Sequence, residues 1–150
     1  MKLVPYLFPI LLFSSFQEKD NTRTINYNGE EVKVIYQVDD KFYGTYKGRK
    51  SGFLDLKKDG SGQYKYDIFA FALPDCKPGP ITLIWGMLMD EKGEPVRFER
   101  EYGFSYPILY QATSENGFQG CRKKVLLDFI IEKKDGSLEI SSSDDWRKQE

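Results

Sequence analysis

Three dipeptides, Asn28-Gly29, Asp59-Gly60 and Asp135-Gly136, each stand between stretches in which apolar and polar residues alternate. Residues two apart share one face of a strand, and Asn-Gly or Asp-Gly supplies the positive φ angles that a tight hairpin requires. No stretch keeps the 3.6-residue apolar period of an amphipathic helix. The chain therefore reads as all-β. Residues 22–27 and 30–38 form a first hairpin about Asn28-Gly29, with Ile25 opposite Val32 and with Val32, Val34, Tyr36 and Val38 on one face. Asp39 and Asp40 then turn the chain into a strand over 41–46. Residues 52–57 and 63–73 are two further strands, joined by a slightly longer loop with a bulge around Asp59-Gly60.

The strand over 63–73 carries Tyr64, Tyr66, Ile68, Ala70 and Ala72 on one face. Its other face changes from Gln63, Lys65 and Asp67 to Phe69, Phe71 and Leu73, the pattern of a strand that passes beneath a second layer. After a proline-rich loop over 74–80, residues 81–89 are almost wholly apolar and read as the central strand. Residues 96–104 alternate again, with Val96, Phe98, Tyr102 and Phe104 on one face and Arg100 interrupting it. Residues 106–120 are the longest irregular segment. A last hairpin, 122–134 and 137–141, turns at Asp135-Gly136 and pairs Ile131 with Ile140. Residues 142–150 form a polar tail in which Trp146 is the one large apolar group. About eight to ten strands joined by short turns leave no room for parallel crossovers, so the fold is an antiparallel β-barrel or β-sandwich.

Gly44-Thr45-Tyr46, followed by Asp59-Gly60 and the tyrosine strand over 64–67, resembles the opening of small bacterial secreted lipocalin-like barrels, in which a Gly-x-aromatic strand begins a cup-shaped meander. Tyr46 stands where that family usually has tryptophan. The resemblance implies a barrel that holds a small apolar ligand.

The start of the chain concerns destination. Lys2 precedes an apolar run over 3–13, and Ser14 and Ser15 lead into the charged Glu18, Lys19 and Asp20. This is the layout of a secretory signal peptide, residues 1–17, with cleavage after one of the residues 14–17, and with residues 18–150 as a single all-β domain. As a helix the run would span only about 16 Å of a hydrocarbon core of roughly 30 Å. Nothing later is long and apolar enough to span a bilayer, so the expected location is secreted or periplasmic. Export places Cys76 and Cys121 in an oxidising compartment, where such a pair is usually a disulfide, worth about 4 kcal/mol in the chain-entropy model, with two reduced core cysteines as the alternative.

Charge and composition remove several chemistries. Lys and Arg number 22 against 23 Asp and Glu, interspersed along the chain, which leaves no basic footprint for nucleic acid. The chain has no histidine, which removes the commonest general base and zinc ligand. Paired cysteines are not nucleophiles, and no Ser-x-x-Lys occurs. Gly48-Arg49-Lys50-Ser51 lacks the spacing and the following helix of a phosphate loop. Asp55, Asp59 and Asp135 lack the alternating ligands of a calcium loop and are read as turn residues.

Neither metal nor cofactor is expected, which leaves three functions. The first is a non-catalytic protein holding a small amphipathic ligand in a cup lined by Tyr64, Tyr66, Trp85, Phe98 and Arg100. The second is a protein-protein interaction module using sheet edges and the aromatic segment over 106–118. The third is a glycoside hydrolase needing only two carboxylates, with Asp67 and Asp128 as candidates.

Overall fold

The computed structural model describes residues 21–48, 51–65, 79–113, 117–118, 123–141 and 146–150. Its strands are β1 (Thr22–Tyr27), β2 (Glu30–Ile35), β3 (Gly44–Lys47), β4 (Phe53–Leu56), β5 (Ser61–Lys65), β6 (Ile81–Leu88), β7 (Phe98–Arg100), β8 (Gly103–Ala112), β9 (Val125–Lys133), β10 (Leu138–Ile140) and β11 (Trp146–Lys148). In the order β6, β5, β4, β3, β11, β10, β9, β8 they are hydrogen-bonded side by side, and β8 pairs back onto β6, which closes an antiparallel eight-stranded barrel. Of the two architectures read from the sequence, the barrel is the one formed. Hairpin β1–β2 hangs from the end of β6 through Val34 opposite Leu88 and Ile35 opposite Met87, and β7 pairs only with β8.

Turn chemistry sets the registers. Asn28 (φ 53°) and Gly29 (φ 85°) both lie in the left-handed region, as a type I′ turn demands, and Ile25 faces Val32. The pentapeptide Lys-Lys-Asp-Gly-Ser occurs twice, at 57–61 and 133–137, and folds the same way each time. Lys57 donates its N–H to the Ser61 carbonyl and Lys133 to that of Ser137, both at 2.9 Å. Gly60 (φ 80°) and Gly136 (φ 84°) provide the left-handed residue of a three-residue loop with a bulge. In each turn the aspartate Oδ1 accepts the serine N–H at 2.9 Å and the serine hydroxyl at 2.6 Å. The third loop residue shifts the last hairpin by one position, so Ile140 pairs with Ile130 and not with the expected Ile131.

Other expectations are corrected too. Residues 40–42 are a 3-10 helix capped by Asp39, whose Oδ1 accepts the Lys41 N–H at 3.1 Å, and the strand begins only at Gly44. Residues 96–104 are not one strand. The chain reverses between Arg100 and Gly103, because Gly103 (φ 141°) is forced close to β9, where an added Cβ would meet the Glu132 carbonyl oxygen at 2.0 Å. The supposed irregular segment over 106–120 belongs to β8 as far as Ala112, and β8 is buried on both faces from Ser105 to Tyr110.

Pro107 does not break β8, because β7 pairs with it only up to Ser105 and β6 only from Ile108. The Leu88 carbonyl that this register sets opposite Pro107 accepts the Val96 N–H instead, at 2.8 Å. The supposed polar tail contains β11, which joins β10 to β3.

Two cores result. Inside the barrel, Tyr46, Leu54, Leu56, Trp85, Met87, Ile108 and Ile130 are among the fully buried side chains, and Phe42 of the 3-10 helix seats in one end. Outside it, hairpin β1–β2 crosses β6, β8 and β9, and Ile25 and Val34 bury Leu109. Gly86 permits this crossing, since a Cβ there would meet the Val34 side chain at 2.5 Å. Four connections leave the barrel end opposite Phe42, and each includes residues outside those described. Tyr66, Asp67, Cys76, Cys121 and the second half of the expected strand over 63–73 fall there.

Candidate functional site

The barrel interior divides into an aromatic end and a charged end. At the aromatic end β5, β8 and β11 aim large rings at a common centre. The Tyr64 ring lies 5.9 Å from that of Tyr110, 5.1 Å from Phe118 and 5.3 Å from Trp146, with Tyr110 and Phe118 5.4 Å apart. Edge-on and offset contacts at these separations are the favourable arrangements of aromatic quadrupoles, so the rings fill one another's surroundings. Asp128 of β9 joins them: its Oδ2 accepts the Tyr110 hydroxyl at 2.9 Å and its Oδ1 the Phe129 N–H at 2.8 Å. Burial raises its carboxyl above the ordinary range, against the opposing pull of these two bonds. The indole N–H of Trp146, which packs over Gly48, is buried without a hydrogen-bond partner among the described residues.

At the charged end the same two strands repeat the motif four residues further along each, two repeats of the pleat. Tyr106 donates its hydroxyl to Glu132 Oε2 at 2.9 Å, and the Lys41 ammonium sits 2.7 Å from Glu132 Oε1. The Phe42 ring meets that of Tyr106 edge-on at 4.9 Å. Burial raises the Tyr106 phenol, and the neighbouring Glu132 adds to the effect. Tyr46, whose hydroxyl donates to the Phe42 carbonyl at 2.8 Å, is likewise pushed up by burial. Each of these groups holds the 3-10 helix against the barrel.

The residues expected to form a cup separate in the structure. Tyr64 and Trp85 face the interior, Trp85 donating its indole N–H to the Lys57 carbonyl at 3.0 Å. Phe98, 43% exposed, and Arg100 lie outside on β7, which is no part of the barrel wall. The turn after Arg100 is the physical reason, since it directs β7 along the outer edge of β8. There the guanidinium stacks 5.4 Å from the Phe98 ring and donates to Ser105 Oγ at 3.4 Å. As for the carboxylate pair, Asp67 lies outside the described residues. The next acid on the inward face of β9, Glu132, is four residues from Asp128, about 13 Å along a strand, beyond the reach of a glycosidase pair. Asp55 accepts from Thr45 Oγ1, and Asp59 and Asp135 brace their turns.

A different surface emerges on the outer face of β9. Leu126, Asp128, Ile130 and Glu132 point inward, so Val125, Leu127, Phe129 and Ile131 form an apolar row facing out. The hairpin covers Val125, whereas Leu127 is 40% exposed and Phe129 and Ile131 are half-buried. Cross-strand register places Phe98, Ser105 and Ile131 in one line on this face, with Pro107 beside Phe129. A cleft of about 430 Å3 opens where Asn26, Tyr27 and Asn28 of the hairpin approach residues 123–127. A second, of about 500 Å3, lies between the loop over 90–97 and Tyr106. Sequence reading passed over the outer row, although its signal is visible: residues 125–131 are apolar at every position but Asp128.

Compared with family models, curated proteins and solved structures, the chain matches none. Among the described residues no helix is long and apolar enough to cross a membrane.

Proposed function

We propose that this chain is an exported, non-catalytic protein-interaction module, in which a barrel filled by its own side chains serves as a rigid support for contacts made on its outside. One observation carries this reading. The rings of Tyr64, Tyr110, Phe118 and Trp146 occupy the aromatic end against one another, while Phe98 and Arg100, the residues best suited to recognise an amphipathic group, face outward. Export rests on the leader over residues 1–17, and with it a Cys76–Cys121 disulfide. The connection that carries Cys76 ends beside the point where the one that carries Cys121 begins, since Thr113 donates its N–H to the Thr82 carbonyl at 3.0 Å and their hydroxyls lie 2.7 Å apart. A second reading keeps a small amphipathic ligand inside, as the resemblance to lipocalin-like barrels implies. The unpartnered Trp146 indole and the Asp128 carboxyl favour it.

Native mass spectrometry of the protein isolated from its own host separates the two. The module reading expects the mass of a chain cleaved after one of residues 14–17, lighter by the two thiol hydrogens and carrying nothing else. A small molecule retained in stoichiometric amount overturns it in favour of the second reading.

A further inference from the structure

We infer that Asn28 is a site of spontaneous covalent modification, at which the Gly29 backbone nitrogen displaces the side-chain amide, and that Asn26 guards it. Neither point depends on the interaction-module reading. The reaction needs a side-chain amide followed by a residue whose nitrogen is unshielded. Gly29 carries no side chain, and nothing lies within 4 Å of where a Cβ would stand. Asn28 and Gly29 are both exposed at the tip of hairpin β1–β2. When the Gly29 nitrogen attacks Asn28 Cγ, an N–C bond forms and the bond from Cγ to the amide nitrogen breaks. The Gly29 proton passes through solvent to the departing amide, which leaves as ammonia. Water then opens the resulting cyclic imide at either carbonyl, leaving aspartate or isoaspartate at position 28. Water is the one co-reactant.

Asn26 controls the first step. Its Oδ1 accepts the Gly29 N–H at 3.1 Å, so the attacking nitrogen is held as a donor toward Asn26. The type I′ turn, with φ of 53° at Asn28 and 85° at Gly29, fixes both residues in this arrangement. Reaction therefore waits for local opening of the hairpin tip. The two Asp-Gly turns are spared on related grounds. Gly60 and Gly136 donate their N–H groups to the Lys57 and Lys133 carbonyls at 3.0 and 2.9 Å. Hydrogen bonds from Ser61 and Ser137 hold Asp59 and Asp135 below the usual carboxylate range, and an ionised carboxylate is a poor target for attack.

Isoaspartate inserts a methylene into the backbone of a turn whose register is fixed by its length. In this register Tyr27 and Glu30 exchange both backbone bonds, as do Ile25 and Val32. Strain at position 28 passes from these pairs to the hairpin that covers Leu109 and Val125. Modification thus loosens the outer core as the protein ages.

The test is to hold the purified protein in neutral buffer for several weeks, cut it with trypsin and follow the fragment 24–33 by mass spectrometry. Electron-transfer fragmentation separates isoaspartate from aspartate and position 28 from position 26. Isoaspartate is expected to accumulate at position 28 in the parent. In Asn26→Ala it accumulates faster by about threefold or more, the factor that one hydrogen bond of ordinary net strength supplies. Asn26→Asp, which keeps an oxygen acceptor, reacts no faster than the parent. Amide exchange at Ile25 and Val32 stays at the parent rate in Asn26→Ala, a result that a merely structural role for Asn26 would not give. The isoaspartyl fraction, separated by ion exchange, exchanges faster at both amides. An Asn28 that stays intact in all three proteins overturns the site. Equal rates in Asn26→Ala and the parent, or a rise matched by faster exchange at Ile25 and Val32, overturn the guard. An isoaspartyl fraction that exchanges like the parent overturns the loosening.

Discussion

The two faces of β9 invert the usual order of a barrel strand. Its inward face carries both of its carboxylates, Asp128 and Glu132, each bonded to a tyrosine of β8, while its outward face is apolar from Val125 to Ile131. A barrel strand that faces only water outside has polar residues there, since alternation follows burial. Part of the departure is explained by hairpin β1–β2, which lies over Val125 and Leu109. The stretch below Val125 is covered less completely, with Leu127 40% exposed and Phe129 and Ile131 half-buried, which is why its composition points to contact. The inward carboxylates teach the complementary lesson. A buried acid is tolerated where a phenol on the neighbouring strand hydrogen-bonds it, and the β8 tyrosines at 106 and 110 repeat at the spacing of the β9 acids at 128 and 132.

Substitutions along these faces can break or sharpen the comparison. Trp146→Ala, which removes the ring that closes the aromatic end, is expected to cost about 3–5 kcal/mol in chemical denaturation. A loss near zero would mean that β11 is dispensable to the barrel. On β9 itself, Ile130→Ala is expected to cost about 2–5 kcal/mol, and Leu127→Ala, one face over, less than about 1 kcal/mol. Equal losses would show that the outer row is covered as thoroughly as the interior.

Gly86→Leu forces a side chain into Val34 and is expected to cost about 1–3 kcal/mol. Hydrogen exchange should rise at β1 and β2 but not at β4 and β5. The smallest effect belongs to Asp128→Asn. Burial raises the folded-state pKa of Asp128 above that of the unfolded chain, so stability falls as pH rises through the interval between the two. The variant should gain stability over the parent at neutral pH, and that gain should vanish on acidification below the ordinary carboxylate range. A gain independent of pH would attribute it to packing and not to the charge.

What the sequence made legible follows from where the chemistry is local. Asn28-Gly29 set its hairpin and register because positive φ angles are demanded within two residues. The nearly unbroken apolar run over 81–89 marked a central strand because most of that strand is buried, on both faces from Trp85 to Met87. Gly103 was harder. Its requirement comes from the Glu132 carbonyl on β9, distant in the chain, and the residues before it, Glu101 and Tyr102, carry no turn signal. Reading through that reversal put Phe98 and Arg100 on the wrong side of the wall. Pro107 misled in the opposite sense, since a proline argues against a central strand unless its missing N–H falls where two neighbouring strands change over. Trp146 looked like an ornament of a polar tail because its partner strand, β3, lies at the other end of the sequence.

That last pairing has a kinetic meaning. Lys47 and Arg147 sit opposite each other across the seam, so the ring of strands cannot shut until segments far apart in the chain have met. Until they do, β3 and β10 each present a raw border able to recruit a neighbouring molecule. A newly made chain is then safest when dilute, and slow seating of Trp146 should show as aggregation that rises with protein concentration during refolding.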